Sequence, residues 1–251
     1  DCYFGLRDTL RMGHEPILSA AMIDGGAGNP LIANDSGLFV FDQTRGRYVF
    51  AGLALGDVTH LAYSATLRTI YAASESTGLW AHELSSALPW SWHQLPTAGL
   101  NAGTPAKKAV VAMTADSALF VSLDGVNGLW RYAPSAGTWT PVERFLTNVC
   151  VTALGLARDS ASISTILAGT ADGRIGIVTE RGTVLDSGAR THGGTIHAFA
   201  ATPAAIDVAC DSGILHATVP LHATWYPMQL RQSEHPVLDI AAFSGGLAYV
   251  T

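Results

Sequence analysis

One unit of sequence recurs along this chain. Between Ala118 and Val142 it reads ALFVSLDGVNGLWRYAPSAGTWTPV: an apolar run, an acidic glycine turn, a second run, a polar glycine turn and a third run. The same order returns from Leu31 (LIANDSGLFVFDQTRGRYVF), Thr69 (TIYAASESTGLWAHEL, then SWHQL), Thr165 (TILAGTADGRIGIVTERGTVLD) and Ala205 (AIDVACDSGILHATVPLHATWYPM). Short apolar runs bounded by Gly, Asp and Ser read as antiparallel strands joined by tight turns. A further run precedes each unit, starting near residues 17, 58, 110, 151, 196 and 237, at steps of 41, 52, 41, 45 and 41. The long step carries an insertion, SSALPWSW and TAGLNAGTPAKK. Self-similarity at a fixed period constrains a fold more than any single motif, because every unit has the same face to bury. Four strands every ~40–50 residues is the period of a β-propeller blade.

The sixth start has only two runs, VLDIAAF and GLAYVT, while CYFGL and TLRM stand unclaimed at the other end of the chain. The expected fold is therefore all-β: a six-bladed propeller forming one domain over residues 1–251, with four antiparallel strands per blade. The last blade is completed by residues 1–12, so that N- and C-terminal strands share it. Closure of this kind removes free sheet edges. A longer parent chain with further blades is the alternative.

The stretch GLWRYAPSAGTWTPV, Gly128 to Val142, resembles the Asp-box (BNR-type) propeller repeat of sialidases, sortilin-like receptors and photosystem-assembly-factor-type proteins. In that family a Ser-x-Asp-x-Gly-x-Thr-Trp turn joins the third and fourth strands. Gly137, Thr138 and Trp139 match its glycine and Thr-Trp, and Trp92 and Trp225 stand at the corresponding places of two other units. Pro134 and Ser135 stand where the aspartate would be. The resemblance implies the propeller fold. Its sialidase branch would need an arginine cluster, but Arg45, Arg131 and Arg174 do not fall at matching places.

Composition narrows the partners. Formal charge is −6 and the only lysines are the pair Lys107-Lys108, so no basic stripe is available to a nucleic-acid backbone. No apolar run approaches the ~18–20 residues of a membrane span. Cys2, Cys150 and Cys210 lack the spacing of a zinc site. Cys2 and Cys210 fall beside acidic turns of adjacent units, where a bond between them is conceivable. With only 14% charged residues and the Asp-box likeness, the expected location is periplasmic or extracellular.

Three groups of residues stand out as candidates. Ser19, His60 and Asp239 occupy one register position of three consecutive units, where the others carry Ala, and are expected to form a polar plug near the ring axis. Their order, with the serine central, does not suit a nucleophilic relay. Trp90 in the insertion belongs to no repeat position and, beside Leu88 and Pro89, is expected to be an exposed contact for a protein or sugar. Trp80, Trp92, Trp130 and His197 read as core. Asp35, Glu75, Asp124, Asp172 and Asp211, with Asp1, end second strands and should line one rim as turn formers. No catalytic set, metal site or cofactor motif is assigned. The expected function is a non-enzymatic scaffold or binding module presenting loops to a protein partner, a subunit of a larger complex. A carbohydrate-binding lectin-like module is the alternative, and a glycoside or ester hydrolase the third reading.

Overall fold

The computed structural model describes residues 17–23, 29–55, 57–74, 76–84, 88–96, 109–113, 118–123, 126–142, 151–158, 164–190, 194–202, 204–218, 226–227, 236–243 and 246–250. The chain divides into two compact units, 1–117 and 118–251. The first holds β1 (Ile17–Met22), β2 (Pro30–Asn34), β3 (Gly37–Asp42) and β4 (Arg47–Phe50) as one antiparallel sheet in chain order. A second sheet follows: β5 (Val58–Ser64), β6 (Thr69–Ser74), β7 (Gly78–Glu83) and β8 (His93–Gln94). β9 (Ala109–Met113) packs against β5 and β6.

The second unit repeats the plan. β10 (Leu119–Leu123), β11 (Val126–Ala133) and β12 (Thr138–Pro141) are neighbours in order. Two four-stranded sheets come next. One is β13 (Val151–Arg158), β14 (Ser164–Thr170), β15 (Arg174–Thr179) and β16 (Val184–Arg190). The other is β17 (Ile196–Ala201), β18 (Ala205–Cys210), β19 (Gly213–Thr218) and β20 (Tyr226–Pro227). β21 (Asp239–Phe243) and β22 (Gly246–Val250) pair alone.

Second strands are the most buried. All six residues of β6 are buried, as are Ile206 to Cys210 of β18. Such strands have both faces covered and read as unbroken apolar runs. Two-residue hairpins follow the acidic-glycine pattern. Asn34 pairs with Gly37 around Asp35-Ser36, and Cys210 with Gly213 around Asp211-Ser212. Gly37 and Gly213 take φ of 128° and 120°, which side-chain-bearing residues rarely adopt.

In each unit the first strands of successive sheets face one another, β1 on β5 and β13 on β17. Thr152 Oγ1 donates to the Ile196 carbonyl at 2.5 Å, tying β13 to β17. A Cβ on Gly169 would overlap Ile196, reaching its Cβ at 2.6 Å and the Phe199 ring tip at 3.1 Å. Ile196 is fully buried and has nowhere to go. Gly169→Ala is thus expected to destabilise by about 1–3 kcal/mol, read as a melting temperature lower by about 2–10 °C. A melt within a degree of the parent would show that this contact is not tight.

The closed six-bladed propeller is corrected by this topology. Among the described residues the strands form separate small antiparallel sheets, none closed, and the last sheet has two strands. The period of the sequence dictates the sheets one by one; it says nothing about how they associate, and the ring was an extrapolation from it. Residues 1–12, Asp1 and Cys2 among them, lie outside the described residues, as do Glu75, Asp124, Cys150 and Trp225. Cys210 is a buried free thiol.

Candidate functional site

Antiparallel order puts the turns after first and third strands at one end of a sheet and the turn after the second at the other. The predicted acidic rim belongs to the second kind. Asp35 is exposed there, and its neighbour Asn34 accepts the Ser36 N–H at 2.9 Å. Asp172 accepts the Thr170 hydroxyl at 2.6 Å and pairs with Arg174 Nε at 2.8 Å. Asp211 binds the Thr195 N–H at 2.8 Å and His197 Nε2 at 2.7 Å, so His197 is hydrogen-bonded, but at a partly exposed position rather than in the core. Each described acid is engaged locally or sits at its hairpin tip.

The opposite end carries a cavity of about 480 Å³ in the first unit, within the ~300–1,000 Å³ of small-ligand sites. The β1–β2 loop contributes Ile23 and Asn29, joined by an Ile23 N–H to Asn29 carbonyl bond of 3.3 Å. β3 contributes Val40, Phe41 and Asp42, and the β3–β4 turn Gln43 and Thr44. Asp42 shapes that turn: Oδ1 accepts the Thr44 and Arg45 N–H groups at 2.9 and 3.1 Å, and Oδ2 meets Arg45 Nη1 at 3.3 Å. Arg68 enters from the β5–β6 turn with φ of 51°, and its carbonyl accepts the Leu84 N–H at 2.7 Å. Leu84, Leu88 and Trp90 complete the wall. The side-chain oxygen of Asn29 is buried without a hydrogen-bond partner.

Trp90 is 8% exposed and belongs to the core cluster of Leu31, Leu38, Val58 and Ile70, which corrects its predicted role as an exposed anchor. Leu88 and Pro89 are exposed as the sequence implied, but the chain turns inward at Trp90. Its indole stacks on His82, ring centroids 4.8 Å apart and 12° from parallel. Trp92 leans on the same imidazole and donates its Nε1–H to the Ala51 carbonyl at 2.9 Å. His82 Nδ1 donates to the Ser91 carbonyl at 2.8 Å, leaving Nε2 buried without a partner. Burial holds the His82 imidazole below its ordinary pKa, against the Ser91 bond, which pulls the other way.

The unfolded chain protonates His82 near 6.5 while the folded chain resists, so this stabilisation is complete above 6.5 and lost as pH falls toward the depressed folded value. Asp211 is held below its ordinary value chiefly by His197, with the Thr195 N–H adding. Asp57 is penalised by burial, but its bonds to Ser76 and Ser74 outweigh that and hold it low. Both carboxylates therefore stabilise above 3.8 and lose their contribution below it. Melting temperature should decline in two steps, below about 6.5 and again below about 3.8. In His82→Gln the upper step should vanish; its persistence would assign that step elsewhere.

Of the axial candidates, Ser19 and His60 lie on β1 and β5 of the first unit and Asp239 on β21 of the second. Ser19 pairs opposite Ala33 on β1. His60 is half-buried on β5, with Nδ1 3.1 Å from Thr59 Oγ1. Asp239, in the second unit, is exposed and accepts its neighbour's Ile240 N–H at 2.8 Å. Their convergence presupposed the closed ring. Sequence reasoning missed the cavity because its polar residues, Asn29, Asp42 and Arg68, do not recur between units. His82 was legible as a core candidate: it lies two residues after Trp80 on one strand, hence on the same face.

Among the described residues no three His, Cys, Asp or Glu side chains are grouped to hold a metal ion, and no helix is long and apolar enough to cross a membrane. No family model matches the chain, and no curated protein matches it. Solved structures do. The extracellular domain of BT4673 from B. thetaiotaomicron, provisionally assigned as a hybrid two component system, superposes with a TM-score of 0.68 at 19% identity. That match covers 93% of this chain and 31% of the other. The extracellular domain of BT3049 from the same organism, under the same provisional assignment, gives 0.65 at 13% identity, covering 94% of this chain and 32% of that one. This chain thus shares its fold with parts of bacterial extracellular domains and spans about a third of their length.

Proposed function

We propose that this chain is a ligand-binding module of an exported protein and that the cavity of the first unit is its binding site. The observation that carries the reading is the lining: an aromatic and aliphatic shelf facing amide, hydroxyl, carboxylate and guanidinium groups. A carbohydrate presents the matching surface, apolar C–H faces alternating with hydroxyls. The extracellular setting of the structural neighbours supports an exported location and a binding or sensing role. The protein-partner reading leaned on an exposed Trp90, and that support is gone. The module binds without turnover in this reading. Among the described residues the one carboxylate in the wall, Asp42, has both oxygens engaged by its own turn and no second carboxylate beside it.

The test is a thermal-shift and calorimetric screen of the full chain against neutral and acidic mono- and oligosaccharides. A ligand at 100 times its dissociation constant should add about 2.7 kcal/mol of stability. Thr44→Trp, which fills the cavity from an exposed turn, should abolish the effect while leaving the unliganded melt in place. Equal binding by Thr44→Trp, or no binding by any saccharide, would overturn the assignment.

A further inference from the structure

We infer that the ligand of this cavity is an acidic saccharide whose carboxylate is held by Arg68; the inference rests on the cavity being the binding site. Among the described residues Arg68 is the one cationic side chain in the wall. Arg45, on the β3–β4 turn, is paired with Asp42. No ion pair among the described residues engages Arg68, whose backbone is fixed by the Leu84 bond. A guanidinium fork matches a carboxylate in two parallel hydrogen bonds. The chain carries net charge −6, so an anionic ligand would have to be selected by a local cation rather than by the overall field. Asp42 does not oppose it strongly, because two N–H groups and the Arg45 guanidinium already face its oxygens.

The rest of the wall describes the body of the ligand. Asn29 also lines the wall, and a side-chain amide both donates to and accepts from ring hydroxyls. Phe41 and the uncovered part of Trp90 line the same wall and give it apolar surface for the C–H face of a pyranose. A uronic acid residue combines all three features: a carboxylate, hydroxyl donors and an apolar ring face.

The experiment compares galacturonic acid with galactose, which differ only in carboxylate against hydroxymethyl, by calorimetry on the full chain. Galacturonic acid should bind at least tenfold more tightly, equivalent to about 1.4 kcal/mol, with the advantage shrinking as salt rises. Arg68→Gln should erase that preference, and Arg68→Lys should keep part of it. Equal affinity for the two sugars, or a preference that survives Arg68→Gln, would overturn the inference while leaving the binding site in place. Benzoate is the control for the sugar body: binding tighter than galacturonic acid would overturn the saccharide assignment. Absence of binding by both sugars would remove the inference together with the site.

Discussion

Gly52→Ala is expected to lower the stability of the first unit by about 3–5 kcal/mol, combining backbone strain with overpacking. Gly52 has φ of 93°, in the region that disfavours a Cβ. The added methyl would overlap the Trp90 carbonyl oxygen and lie 2.9 Å from the Trp90 nitrogen. These are backbone atoms, so no side-chain rotation relieves the clash. The surroundings hold both partners fast. The Ala51 N–H donates to the Leu38 carbonyl at 2.8 Å, and the Ala51 carbonyl receives the Trp92 indole. The segment at Trp90 can retreat only by breaking its stack on His82. Circular dichroism melts should show a loss on the order of 10 °C. A melt within about 2 °C of the parent would mean that the close approach of these two segments is not a constraint.

Trp90→Ala should cost about 3–5 kcal/mol and remove ligand binding together. The indole fills space among Leu31, Leu38 and Ile70 on one side and covers His82. Deleting it opens a void that these strands, hydrogen-bonded into their sheets, cannot close. It also admits water to the imidazole. The desolvation that holds His82 below its ordinary pKa would weaken, so its titration, followed by the ring proton resonances, should move up toward 6.5. Trp90→Phe keeps an aromatic stack and should retain most of the stability with weaker binding. A Trp90→Ala protein of parental stability and unaltered His82 titration would remove the indole from the structural account.

Local structure was written in the sequence, while its assembly was not. The runs AIDVAC and TIYAAS became buried second strands because apolar residues occupy both faces, while their polar members Asp207, Thr69 and Ser74 are hydrogen-bonded. Asp35-Ser36-Gly37 and Asp211-Ser212-Gly213 became hairpins because glycine alone meets their φ without strain. Such rules act over a few residues. The packing of one sheet on the next depends on pairs such as Gly169 with Ile196 and Gly155 with Phe199, distant in sequence and unmarked by the repeat. Trp90 shows the same limit: exposed neighbours made it look exposed, whereas its burial is decided by Gly52 and His82. The cavity was hidden for the opposite reason. Repeat reading favours what recurs, and Arg68 and Asn29 each occur once, in turns with no shared pattern.

The claim that the first unit's cavity is the binding site is tested most directly by a nitrogen–proton spectrum of the labelled full chain titrated with galactose and with galacturonic acid. The account predicts saturable shifts of the Trp90 indole N–H and the Asn29 side-chain amide, with one dissociation constant for both. His197 and the turn at Asp211 should stay unmoved. Saturable shifts confined to the second unit, with Trp90 and Asn29 unchanged, would contradict it.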